Sequence, residues 1–223
     1  MGSALANSPS PLTPGLLAAA ERALTPRRLS RLREVASARL EGLRVGFDSL
    51  HDPHNVSAAL RSCDAFGVQN VHLVASSTGA PTNRGVTKGC ERWLTFHWHD
   101  SARACADALH GQGFRVLLAM PGADSPPVGH VDFSAKTALV FGNGHAGVSP
   151  EFEGVADGRF HIPMNGFVES LNVSVAVAVS VFHAAFARRA ALGAETDMPP
   201  AERDALLAGW LRRELDARRG FDG

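Results

Sequence analysis

Asn55, Arg61, Ser170 and Asn172 are residues of this 223-residue chain that a hydrophobic core does not call for. They lie in two of three polar stretches, each of which enters from an apolar or turn-forming segment and leads into helix-like sequence. The first stretch, His51 to Arg61, places Asn55 at a helix mouth, with Arg61 among Ala58, Ala59, Leu60 and Cys63. Asn55 is either a plain helix cap or a functional amide. Arg61, on a helix that otherwise reads as buried, either pairs with an acid or reaches a cleft. The second stretch, Phe141 to Gly147, is a glycine-rich loop after a strand-like run. It lacks the spacing and lysine of a phosphate-cradling loop and does not match the dinucleotide fingerprint. Alone it reads as tight turns, with His145 either merely exposed or catalytic. The third stretch, Ile162 to Ser174, runs a polar loop into a long apolar helix, with Ser170 and Asn172 at its mouth. Capping accounts for one of these two residues and not both. Free backbone donors at such a mouth suit a polar ligand.

Regular elements must hold these stretches in place. Thr25 and Pro26 make a helix start, a cap followed by a first-turn proline. Leu29, Leu32, Val35, Ala36 and Leu40 then keep helical period. Strands are expected over 43–47, 71–75, 94–98, 115–120, 138–141 and 160–162. Between them, helices are expected from Asn55 to about Phe66, closed by Gly67, from a Ser101 cap to about His110, and from Ser149-Pro150-Glu151 onward. Leu171 to Ala191 reads as a long helix, too apolar for a surface element. Pro199 and Pro200 break the chain, and Glu202 to Arg218 reads as an amphipathic helix with Leu206, Leu207, Trp210, Leu211 and Leu215 on one side. Strands alternating with helices predict the α/β class, a parallel sheet covered by helices on both faces. Ligands of such sheets sit beyond the strand C-termini. All three stretches follow strands, so they are expected to converge there. The expected organisation is a disordered lead over 1–15, a basic helical arm over 16–42, a main domain over 43–192, and a linker with a C-terminal helix over 193–223.

Lys plus Arg and Asp plus Glu balance at 22 each, but the charge is uneven. Residues 16–46 hold seven Arg and three Glu, whereas 47–185 hold eight basic and twelve acidic residues. A basic segment on a weakly acidic body is either a phosphate-binding footprint or a solvated helix face. No apolar run approaches the ~20 residues of a membrane span. The first residues lack the basic segment and apolar core of a secretory leader. Cys63, Cys90 and Cys105 are widely spaced. They read as reduced and mostly buried in a cytoplasmic protein, with no disulfide framework and no metal site.

Taken in order, the three stretches resemble the three motifs of the SPOUT superfamily of RNA methyltransferases, most closely its TrmH-type branch of tRNA guanosine 2′-O-methyltransferases. The matching segments are His51 to Ala58, Leu139 to Gly142 with Gly147 to Ser149, Ile162 to Met164, and Ser170 to Val175. The resemblance covers about residues 25–215, including the basic helix before the first motif and Trp210-Leu211-Arg212 in the last one. It implies an α/β fold with a C-terminal trefoil knot and S-adenosylmethionine held by Phe141, Gly142, Asn143, Ile162, Met164, Ser170 and Leu171. It implies catalysis by Arg61, supported by Asn55 and Asn172, in a homodimer that acts on tRNA, at a D-loop guanosine. It leaves ribosomal RNA, or RNA binding without turnover, as alternatives. The basic helix, through Arg28, Arg31 and Arg33, would contact RNA. One departure is Gly144, where the second motif usually carries a Glu.

Overall fold

The computed structural model describes residues 11–49, 52–74, 92–122, 124–143 and 147–219. His51, Cys90 and the stretch from Gly144 to Ala146, with His145, lie outside the described residues. The chain forms two compact units, one of residues 40–194 and one of the segments before and after it.

The larger unit holds six strands: β1 (Leu43–Asp48), β2 (Asn70–Val74), β3 (Thr95–His99), β4 (Arg115–Ala119), β5 (Thr137–Phe141) and β6 (Gly158–Phe160). Every pairing is parallel, in the order β3-β2-β1-β5-β4-β6. The central β1 and β5 are buried along their whole length, β1 including the charged Arg44 and Asp48. The last strand ends at Phe160 rather than Ile162, so more of the third stretch is irregular chain than expected.

Helices cover both faces. On one side α3 (Pro53–Phe66) and α6 (Val173–Leu192) bring Leu60, Cys63, Val177, Val181 and Ala184 against Val45, Phe47, Leu139 and Phe141. On the other, α4 (Ala102–His110) and the single turn α5 (Pro150–Glu153) bring Cys105, Leu109 and Phe152 against Val116, Leu118, Ala138 and Val140. Alternate residues of one strand thus serve opposite faces. Ser101 and Ser149 cap α4 and α5, and Gly67 closes α3 at φ 89°.

The burial expected of the 171–191 helix is half right. Val177, Val181, Ala184 and Ala185 are in the core, but Val175, Val179, Phe182 and Phe186 are 39–56% exposed. A helix laid on one sheet face has only one side to bury, and a segment apolar all round does not reveal which. By length and composition α6 would also suffice to cross a membrane, contrary to the expectation from the sequence.

The smaller unit contains α1 (Pro14–Ala23), α2 (Pro26–Ala36) and α7 (Pro200–Arg219). Thr13 caps α1, so the first helix begins inside the expected lead. Pro200 opens α7 rather than preceding it. Leu29, Leu32, Leu207, Trp210 and Leu211 form its buried side.

Candidate active site

A parallel sheet sends all its strand C-termini to one edge. β1 leads to the first stretch, β5 to the second and β6 to the third. The third must then travel back, because α6 starts beside α3 while β6 is the far edge strand.

The return ends in a hydrogen-bond chain between two helix mouths. Asp52, not Asn55, caps α3: its carboxylate accepts from His54 N at 2.9 Å, and Pro53 fills the first helical position. Asn55, already within the helix, donates from Nδ2 to Asp52 Oδ2 at 2.8 Å. Asn172 Nδ2 donates to Asn55 Oδ1 at 3.0 Å. Asn172 Oδ1 in turn caps α6, accepting from Ser174 N at 2.9 Å and Ser174 Oγ at 2.6 Å. The two asparagines are therefore one unit, with each amide used at both ends. Ser170 is exposed and caps nothing.

The second stretch is held by backbone. A Cβ on Gly142 would lie 1.9 Å from the Gly147 carbonyl oxygen, so only glycine fits there. Asn143 and Gly147 pair as an antiparallel bridge, Gly147 N donating to Asn143 O at 3.0 Å, and Gly147 sits at φ 70°. Asp48, at the end of β1 and only 3% exposed, accepts from Ser149 N at 2.6 Å and ties this loop to the first stretch. Neither Asp48 nor Asp52 was singled out in the sequence, although Asp52-Pro53 repeats the cap-then-proline signal of Thr25-Pro26.

The third stretch lies beside the second. Ile162 packs against the core cluster that contains Phe141, and the Phe141 and Phe160 rings meet edge-on at 6.1 Å. Met164, Phe167 and Val168 are exposed, and Leu171 is half-buried. Among the described residues, residues 162–171 make no hydrogen bond through their backbone groups. Their donors and acceptors are open.

Arg61 is exposed on α3 and, among the described residues, makes no hydrogen bond or ion pair. Of the two readings of an arginine here, the buried ion pair is ruled out. The arginines of α2 differ. Arg28 forms a two-bond pair with buried Glu214, at 2.9 and 3.3 Å. Arg31 meets Glu34 at 2.8 Å and Arg33 meets Glu21 at 3.6 Å, both at the surface. Arg39 is 1% exposed, its guanidinium 5.3 Å from the Trp210 ring centre, and so does not belong to an exposed basic face. Away from these stretches, His72, His99 and Cys105 bring three metal-ligand atoms within 4.8 Å of one another. The cysteine spacing gave no sign of this, because the three residues come from β2, β3 and α4.

Known proteins share this fold. The model of the SpoU rRNA Methylase family matches residues 42–182. The tRNA (guanosine(18)-2′-O)-methyltransferase of Thermus thermophilus is 38% identical over 193 residues, 86% of this chain and 100% of that one. The crystal structure of the A. aeolicus TrmH/SpoU tRNA modifying enzyme superimposes with a TM-score of 0.73 at 32% identity, covering 85% of this chain and 97% of that chain. The SpoU methyltransferase AviRb from Streptomyces viridochromogenes, solved in complex with the cofactor AdoMet, shares the fold at a TM-score of 0.58 and 24% identity over 68% of this chain and 62% of that one. The family match runs through all three stretches described above, and the chain belongs to the SpoU rRNA methylase family of methyl-transferring enzymes.

Proposed function

We propose that this protein transfers the methyl group of S-adenosylmethionine to the ribose 2′-hydroxyl of guanosine 18 in tRNA. The observation that carries the reading is the Asn172–Asn55 bond, which joins the first and third stretches into one site beside the open backbone of residues 162–171. The T. thermophilus relative, matched over its full length, bears the name of that reaction.

The residues present suit the cofactor. Open backbone groups between Ile162 and Leu171 can meet the edges of an adenine and a ribose, with Ile162, Met164 and Leu171 as apolar contacts. Gly142, with no room for a side chain, lets Phe141 to Asn143 approach backbone-first. Ser170 offers a hydroxyl. When bound, S-adenosylmethionine supplies a methyl group already activated on a sulfonium sulfur.

The chain must supply the nucleophile. A ribose hydroxyl attacks well only as it loses its proton. A guanidinium offers donors and no acceptor, so Arg61 acts by holding the substrate phosphate and turning the hydroxyl toward the methyl group, while a phosphate oxygen takes the proton. Asn55 and Asn172 lock the mouths of α3 and α6 and set the angle of the helix that carries Arg61. Positioning of this kind provides much of the rate, and base assistance a further ~10²–10⁴-fold.

We read residues 161–172 as the thread of a trefoil knot, since they leave β6 and reach α6 only after passing β4 and β5. The exposed stripe Val175, Val179, Phe182 and Phe186 suits the same stripe on a second copy, a homodimer. For RNA contact, the surface pairs of Arg31 and Arg33 can be exchanged for phosphate at little cost. Exposed Arg27 is available too, whereas Arg28 is committed to Glu214. Labelled S-adenosylmethionine with unmethylated tRNA and, in parallel, unmethylated ribosomal RNA, followed by nuclease mapping, tests the reading. Label at guanosine 18 is expected. Label in ribosomal RNA instead moves the substrate, and tight RNA binding without label removes the activity.

A further inference from the structure

His72 is the most constrained polar group outside the site. It is 1% exposed, its Nδ1 lies 2.9 Å from His99 Nε2, and its Nε2 is buried without a hydrogen-bond partner. No tautomer cures this. If Nδ1 donates to His99, Nε2 is an unused acceptor; if Nδ1 accepts, the Nε2 proton is an unused donor. A metal ion on Nδ1 would select the second of these tautomers, with the proton on Nε2. The parallel register sets His72 opposite His97 and Val74 opposite His99, so the three imidazoles share one sheet face, and α4 lays Cys105 over it. His97 is committed elsewhere, its Nε2 lying 2.9 Å from Asn70 Oδ1, and its ring stacks on His72 at 4.6 Å.

We propose that His72, His99 and Cys105 bind one zinc-class d10 cation at the β2–β3 side of the sheet, with water as fourth ligand. Two imidazoles and a thiolate are ligands that zinc accepts, and three protein ligands plus water is a common zinc set. Bond lengths of roughly 2.0 Å to nitrogen and 2.3 Å to sulfur put tetrahedral donor atoms about 3.3–3.6 Å apart. With His72 Nδ1 and His99 Nε2 as donor atoms, the histidine pair opens by about 0.4 Å and the thiol closes by at most about 1.3 Å, movements within side-chain reach, while His72 keeps its proton on Nε2.

The surroundings favour a cation. Burial holds the His72 imidazolium down to about 2 and lowers His99 as well, so both rings present lone pairs at neutral pH. The Asp100 carboxylate acts on His99, and Asp48 acts on Cys105, both in the sense that welcomes positive charge. Without a metal, burial pushes the Cys105 thiol up to about 12, and metal binding would displace that proton. Arg44, whose charge reaches His72, is itself paired with Glu41 at 2.6 Å. A bound ion would also staple the edge strand β3 to β2 and α4.

Untagged protein stripped by chelator is titrated with Co²⁺ and then with Zn²⁺. One equivalent of Co²⁺ is expected to give a thiolate-to-metal charge-transfer band that Zn²⁺ removes. Zn²⁺ at about a hundredfold its Kd should raise Tm by about 5–10 °C. Cys105→Ser should abolish the band while Cys63→Ser keeps it, and His99→Gln should weaken Co²⁺ binding at least tenfold. A missing band, a band that survives Cys105→Ser, or an unmoved Tm overturns the site. Should Cys105→Ser fail to fold, unchanged affinity in His99→Gln, at a half-exposed position, overturns it equally.

Discussion

Asn172 is where a helix cap and a bridge between motifs coincide, so substitutions there can separate stability from catalysis. Asn172→Ala removes both bonds to Ser174 and the 3.0 Å bond to Asn55. Loss of the cap costs about 1 kcal/mol, and the bridge, exposed on one side, about 0.5 kcal/mol. The total of about 1.5 kcal/mol corresponds to a Tm lower by about 3–6 °C for a chain of this size. Asn172→Asp behaves differently. Its carboxylate still accepts from Ser174, and its charge at the N-terminus of α6 returns about 0.3–1 kcal/mol. It has no proton for Asn55 Oδ1, however, so the two helix mouths come apart. Tm should fall by less than about 2 °C while methyl transfer drops by about 10²-fold, the scale of a small misplacement of reacting groups. Calorimetry and single-turnover transfer from labelled S-adenosylmethionine to tRNA measure the two effects. Asn55→Ala breaks the same bridge, so the double variant should lose no more rate than the worse single one. If the rate losses multiply, or Asn172→Asp keeps more than about half the wild-type rate, the asparagine pair is a structural cap and nothing more.

Arg61→Ala should leave Tm within about 1–2 °C of wild type, because Arg61 is exposed and unpartnered among the described residues. Transfer should fall more than tenfold, over 1.4 kcal/mol, and a smaller loss would remove Arg61 from the chemistry. Gly142→Ala must shift backbone, given the 1.9 Å contact, and should cost about 3 kcal/mol and S-adenosylmethionine affinity by calorimetry. Gly147→Ala, strained at φ 70° but with open space around it, should cost about 1 kcal/mol. Phe182→Glu with Phe186→Glu should convert a homodimer to a 23.5 kDa monomer by light scattering. A wild type that is already monomeric at micromolar concentration would refute the dimer. Replacing Arg27 and Arg31 by Ala should flatten the salt dependence of tRNA affinity by up to about 0.9 per lost contact, whereas Arg28→Ala, which removes two bonds to buried Glu214, should chiefly lower Tm.

Much of this protein is decided locally and is legible in its sequence. Thr25-Pro26, Ser101, Ser149 and Gly67 begin or end helices where expected, because a cap or a left-handed glycine acts within one turn. The order of strands and helices follows from apolar period, and the three polar stretches stand out because no core needs them. Other features depend on which strand lies beside which. The order β3-β2-β1-β5-β4-β6 brings Asn172 to Asn55 across 117 residues and gathers His72, His99 and Cys105 on one face. Within the helical unit, α2 and α7 join Arg28 to Glu214 across 186 residues. It is also the layering of α6 on one sheet face that leaves Val175, Val179, Phe182 and Phe186 exposed. Periodicity reports how apolar a residue's own face is. It carries no information about what stands opposite, and that is where the tertiary structure alone decides a partner, a bridge or a ligand set.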